Sequence, residues 1–122
     1  LNISKPLKRV QFEKKGAKLK KGSGKGLDDL LLLLTKNPQL VIEIGSYTDS
    51  RGGDKENYEV TQQRADFCRN YLIQKGISPA RITAKGYGET KLINHCVNGI
   101  LCIEEEHEEN NRIEYTIVSM LN

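Results

Sequence analysis

Apolar positions follow two periods along the chain. Ile113, Tyr115 and Ile117 alternate with polar neighbours, which predicts a strand over Arg112–Met120 with those three on one face. Ala65, Cys68 and Leu72 recur at helical spacing, which predicts a helix over Asn57–Lys75 that Gly76 closes as a C-terminal cap. Leu40–Tyr47, rich in Val and Ile, reads as a further strand. A helix is expected over Leu27–Lys36, with Asp28 and Asp29 in its first turn, where acids suit the helix dipole, and with Asn37-Pro38 as its stop. Weaker signals give short strands at Val10–Phe12 and Arg81–Lys85, a turn at Gly86-Tyr87-Gly88, a loop over 92–103 and a short acidic helix over Glu104–Asn110. The order is strand–helix–strand–helix–strand–helix–strand. Helices crossing between strands predict an α+β fold, with a helix layer packed on one face of a small mixed sheet.

At 122 residues the chain fits one domain, 1–122, divided here into a basic N-terminal arm with a weak first strand over 1–26 and a core over 27–120. Hydrophobic residues make up 37% and charged residues 29%, which points to a globular chain rather than a disordered one. The longest apolar run, Leu30–Leu34, is far shorter than the roughly 20 residues a bilayer span needs. The chain begins at Leu1 rather than Met, so it is expected to be a fragment of a longer or processed protein, and the lack of a signal peptide carries no information on export. Net charge is +3, unevenly placed: residues 1–26 hold nine Lys/Arg and one acid, Glu13, for +8, which leaves −5 for the remainder. A basic arm of this kind suits an anionic polymer, nucleic acid included, and equally suits a solvated, partly mobile segment.

Chemistry concentrates between the loop 48–54 and the helix after it. The loop Thr48-Asp-Ser-Arg-Gly-Gly-Asp54 carries two adjacent glycines, which permit backbone angles other residues resist. Asn57, Thr61 and Arg64 stand at i, i+4 and i+7, on one stripe of the helix. The first helical turns favour an anion, and Arg64 adds a planar fork for a carboxylate. Asp49, in the preceding loop, can receive an ammonium group. An acid and a guanidinium across a small pocket form a receptor for a zwitterion; the same two residues can equally form a plain structural salt bridge, and spacing does not decide between them.

The stretch Ile44-Gly-Ser-Tyr-Thr-Asp-Ser-Arg-Gly52, followed by Asn57, Thr61, Arg64-Ala65, Tyr71-Leu72, Lys75-Gly76-Ile77, Arg81-Ile82 and Lys85-Gly-Tyr-Gly-Glu89, and then by Asn110, Arg112 and Glu114, resembles the C-terminal peptidoglycan-binding domain of OmpA-like proteins. The likeness is close over 40–118 and loose over 8–38. It extends to the subgroup found in Bacteroidetes-type outer-membrane proteins, which carries a cysteine pair, an acidic stretch and a histidine, here Cys96, Cys102, Glu104–Glu106 and His107. The resemblance implies a βαβαβ-type OmpA-like fold and a non-catalytic role: holding the diaminopimelate residue of the peptidoglycan stem peptide. It implies a periplasmic place, with the outer membrane reached through a part of the protein outside this chain. Asp49 would take the ligand's ammonium and Arg64 its carboxylate, Asn57 matches a polar contact of the same pocket, and Arg112 matches an arginine of the family's Asn-Arg-Arg motif; Thr48 from the loop and Thr61 from the helical stripe are expected to join them. The chain departs from the family pattern at Tyr47, where His is usual, at Asn111, where an Arg is usual, and over Phe12–Lys15, where the usual Phe-x-x-Asp/Asn signature is lost.

Cys96 and Cys102 are six apart in a polar, Gly-containing stretch, and so short a loop can close as a disulfide where its ends approach. Cys68, in the helical stripe, reads as a small buried hydrophobe. His95, Cys96, Cys102 and His107 offer nitrogen and sulfur ligands, yet their spacing matches no standard zinc pattern; the exported domain that the resemblance implies favours the disulfide, and no metal or cofactor is expected. Glu104–Glu109 lacks the oxygen-ligand loop of a calcium site. Gly22-Ser-Gly-Lys-Gly26 lacks the phosphate-loop spacing. No nucleophile elbow, metal set or placed carboxylate pair supports an enzyme. Aromatic residues at 6% provide no stacking platform, so nucleic acid is not an expected partner.

Overall fold

A computed structural model of the protein describes residues 3–14 and 16–121; Lys15, counted above in the basic segment, lies outside them. The elements run β1 (Ser4–Pro6), α1 (Gly24–Lys36), β2 (Leu40–Tyr47), α2 (Asp54–Gln74), a single 3-10 turn over Pro79–Arg81, β3 (Ile82–Gly88), α3 (Glu104–Glu108) and β4 (Arg112–Met120). One mixed sheet has the order β1-β4-β2-β3: β2 and β3 are parallel, and β4 pairs antiparallel with both β1 and β2. The parallel pair requires a crossover, and α2 supplies it. Among the described residues no helix is long and apolar enough to cross a membrane.

The two expected periods reappear as the core. Leu30 and Leu34 of α1 meet Ala65, Cys68 and Leu72 of α2 over Ile42 and Ile44 of β2, with Ile82 and Ile113 closing the sides. Both long helices therefore lie against one sheet face, while Glu43, Tyr47, Tyr87, Arg112 and Glu114 alternate onto the other. That open face is not bare. Tyr47 stacks on Tyr87 with ring centroids 4.9 Å apart, and Arg112 lies 4.1 Å over Tyr47 while its Nε donates to Glu114 at 2.6 Å. A Cβ at Gly45 would stand 2.8 Å from Tyr47 Oη, so the glycine makes room for the tyrosine ring.

β2 and β4 occupy the expected ranges. The first strand does not: it is Ser4–Pro6, not Val10–Phe12. Its three residues are exposed and pair only at the sheet edge with β4, so no apolar period marks them. Phe12 instead bridges Leu19 in a narrow hairpin that Glu13 N–H to Lys18 O and Lys20 N–H to Gln11 O close at 2.8 Å each. The basic segment is not a detached arm. Val10 is 2% exposed, and Leu7, Phe12 and Leu19 pack on the core, while most of its lysines face solvent. α1 begins at Gly24, so Asp28 and Asp29 fall beyond its first turn. β3 runs through Gly88 rather than turning at Gly86, and α3 stops at Glu108.

Candidate functional site

The loop after β2, the first turns of α2, the 12–20 hairpin and α3 surround a cleft of about 560 Å³. Asp49, Arg64, Asn57 and Thr48 all line it, together with Arg51, Phe12, Glu104, Glu108 and Asn111. Its charges balance: Glu13, Asp49, Glu104 and Glu108 against Lys14, Lys20, Arg51 and Arg64. A smaller hollow of about 90 Å³ adjoins it and shares Phe12, Lys20, Arg64, Glu108 and Asn111.

Asp49 is 6% exposed and heavily coordinated. Its Oδ1 accepts the Arg51 backbone N–H at 2.8 Å, an Asx turn that shapes the loop, and Arg51 Nε at 3.2 Å. Its Oδ2 accepts Arg51 Nη2 at 3.0 Å and Asn111 Nδ2 at 2.8 Å. Asn111 Oδ1 in turn accepts the Asp49 backbone N–H at 2.9 Å. The departure at 111 thus puts an amide clasp on Asp49. Burial pushes the Asp49 carboxyl up, but the Arg51 and Asn111 hydrogen bonds outweigh it, and its pKa lies below the ordinary carboxylate value. Arg51 reaches on to Glu104 at 2.8 Å.

Arg64 makes no ion pair with Asp49 among the described residues, so the plain salt bridge allowed by the spacing is not formed. Its Nε donates to the Gly16 carbonyl at 2.9 Å, and its Nη2 to the carbonyls of Glu13 at 3.0 Å and Lys14 at 3.4 Å. Phe12 lies 5.5 Å below the guanidinium. Burial lowers the Arg64 pKa, and the fields of Glu108 and Asp49 work against that. Arg64 therefore holds the hairpin wall while still lining the cleft.

The stripe of α2 divides. Asn57 Nδ2 donates to the Arg51 carbonyl at 3.1 Å and so ties the helix start to the loop. Thr61 is turned away from the cleft: its Oγ1 donates to the Asn57 carbonyl at 2.8 Å and accepts the Gly88 N–H at 3.1 Å. Thr48 lines the cleft, but its Oγ1 is buried without a hydrogen-bond partner among the described residues. Arg112 lines only the smaller hollow; Glu114 and the carbonyls of Asn110 and Lys91 occupy its guanidinium.

Residue patterns missed Arg51, Glu104 and Glu108. Arg51 was within reach, since an arginine two residues after an Asx-turn aspartate can fold back onto it. Cys96 and Cys102 form a disulfide, and the loop it closes packs beside the site: Ser50 Oγ donates to the Cys96 carbonyl at 2.6 Å.

Residues 11–100 match the OmpA family. The chain is 41% identical over 71 residues to a peptidoglycan-associated lipoprotein of Buchnera aphidicola, covering 58% of this chain and 41% of that protein. It is 34% identical over 82 residues to outer membrane porin F of Pseudomonas fluorescens, covering 67% of this chain and 25% of that one. It thus spans less than half the length of these relatives. The crystal structure of the peptidoglycan-associated lipoprotein from Burkholderia pseudomallei superposes with a TM-score of 0.75 over 88% of this chain and 86% of that one, at 24% identity, and shares the fold. On the family match and the fold together, the chain belongs to the OmpA family.

Proposed function

We propose that this domain binds peptidoglycan without turnover, through the cleft that Asp49 and Arg64 line, and so anchors the longer protein it belongs to within the periplasm. The charge balance of the cleft carries the reading. Four acids against four bases in one hollow suit a zwitterion better than a polyanion. The diaminopimelate of a stem peptide supplies such a head group: its ammonium goes to Asp49, with Glu104 and Glu108 near it, and its carboxylate to Arg64. Thr48 lines the wall beside Asp49, and Asn57 holds the helix start in place beneath. Thr61 and Arg112 act from behind, Thr61 by fixing α2 on β3. The outer membrane is reached through a part of the protein outside this chain.

Each charge-assisted hydrogen bond contributes about 1.5–3 kcal/mol, which makes a single site of modest affinity. Many domains along one polymer raise the total by avidity. Nothing in the cleft has to make or break a bond for this role. The test is sedimentation with purified sacculi. Asp49→Ala and Arg64→Ala should leave the protein in the supernatant while circular dichroism stays native. Both variants pelleting like the unaltered protein would remove the site from this cleft.

A further inference from the structure

Beside the disulfide, and apart from the cleft, stand two more metal-binding side chains. The ligand atoms of His95, Cys96, Cys102 and Glu106 all lie within 4.8 Å of one another. We propose that reduction of the Cys96–Cys102 disulfide converts this cluster into a four-coordinate zinc site, with the two thiolates, the His95 imidazole and the Glu106 carboxylate as ligands.

The geometry of the half that does not change supports this. His95 Nε2 is 3.4 Å from Glu106 Oε2. Metal bonds of ~2.0 Å to nitrogen and oxygen give a tetrahedral edge of ~3.3 Å, so these two ligands already stand at bonding separation. The Glu106 carboxylate is oriented from behind: its Oε1 accepts the Ile103 N–H at 3.0 Å, which leaves Oε2 turned to His95. The sulfur half is framed as well. Cys96 N–H donates to Asn94 Oδ1 at 3.1 Å, and Asn94 Nδ2 donates to the Glu106 carbonyl at 2.7 Å, so one asparagine ties the first cysteine to the helix that carries the carboxylate. Cys102 is half-buried and His95 exposed, which gives a reductant and an ion a way in. Two thiolates, an imidazole and a carboxylate are a donor set that zinc accepts.

The exchange balances. A small-molecule dithiol gives two electrons and two protons to the disulfide and leaves as its own disulfide. The two protein thiols then lose their protons as zinc binds. The loop stays closed in both states, by sulfur–sulfur bond or by metal, and the Ser50 bond to the Cys96 carbonyl keeps it against the cleft. Cys68 takes no part, because it is fully buried in the core.

The test compares the protein reduced with a phosphine under anaerobic conditions with the oxidised protein, each given equimolar zinc and then desalted. The reduced chain should retain one zinc per molecule and the oxidised chain none. Cys96→Ser/Cys102→Ser should retain none, and His95→Ala, at an exposed position, should bind at least tenfold more weakly. Cobalt substituted into the reduced, unaltered protein should show thiolate-to-metal charge transfer and strong tetrahedral ligand-field bands, a readout that needs no variant to fold. Equal zinc retention by the reduced and oxidised chains, or a cobalt spectrum without thiolate bands, overturns the site.

Discussion

Gly86 is the point where α2 meets the sheet, and replacing it with alanine should loosen both fold and site. A Cβ at Gly86 would lie 2.6 Å from Thr61 Oγ1 and closer still to the Gln62 backbone nitrogen. The obstruction is largely helix backbone, so a side-chain rotation does not relieve it. The helix must lift, and the bonds that hold it to β3 lengthen: Gly86 N–H to Gln62 Oε1 at 2.9 Å, Gln62 Nε2 to the Ala84 carbonyl at 3.1 Å and Gly88 N–H to Thr61 Oγ1 at 3.1 Å. Overpacking of this kind costs about 1–3 kcal/mol. Each weakened hydrogen bond adds about 0.5–1.5 kcal/mol. With three bonds weakened the total is about 3–7 kcal/mol, a large part of the roughly 5–15 kcal/mol that holds a domain of this size together. At a few degrees per kcal/mol, Tm should fall on the order of 10–20 °C. Thermal denaturation followed by circular dichroism measures it. Gly24→Ala is the control: it opens α1, and a Cβ there meets nothing within 4 Å, so its Tm should stay close to that of the unaltered protein. A Gly86→Ala Tm within about 3 °C of the unaltered protein would refute the close approach of α2 to β3.

Arg51→Ala removes the guanidinium that now occupies both Asp49 oxygens; since Arg51 is half exposed, the pair is worth at most about 1 kcal/mol, and stem-peptide affinity by calorimetry should rise by up to about fivefold, whereas a tenfold loss would make Arg51 part of the grip. Removing the disulfide by Cys96→Ser/Cys102→Ser frees a loop of six-residue separation and should cost about 2 kcal/mol in urea unfolding at low zinc. Asp49 titrates below its unfolded value, so the stability it contributes is complete above the unfolded carboxylate pKa and is lost as pH falls through the lower folded one; Asp49→Asn should flatten that acid limb of the stability–pH curve, and an unchanged limb would mean that the Arg51 and Asn111 bonds do not hold in solution. Binding to sacculi should weaken only slightly as salt rises from low to physiological concentration, because a balanced cleft displaces few counterions; a steep fall would favour the exposed lysines of the 3–26 segment as the contact.

The parts of the fold that bury a periodic apolar face were legible. Ile113, Tyr115 and Ile117 marked β4, and Ala65, Cys68 and Leu72 marked the buried stripe of α2. β1 carried no such mark, because Ser4, Lys5 and Pro6 are exposed and owe their conformation to the edge of β4. At the cleft, spacing put Asn57 and Arg64 on one helical stripe, and both line the hollow. It misjudged Thr61, whose hydroxyl is claimed by the Gly88 N–H because Gly86 lets β3 come that close. It left Arg64 between a receptor and a salt bridge, since its actual acceptors are main-chain carbonyls of the hairpin, and these leave no trace in residue type. Glu104 and Glu108 lie more than fifty residues beyond Asp49 and reach the cleft only through the long connection from β3 to α3.

The most direct measurement is an amide and arginine-side-chain NMR titration of the labelled domain with a soluble stem peptide ending in diaminopimelate. Shifts should gather on Thr48–Gly53, on Asn57 and on the Arg64 Nε–H, with the Arg51 Nε–H changing as its hold on Asp49 is released. Shifts confined to the lysines of the N-terminal hairpin, or none at millimolar peptide, would contradict a zwitterion receptor between Asp49 and Arg64.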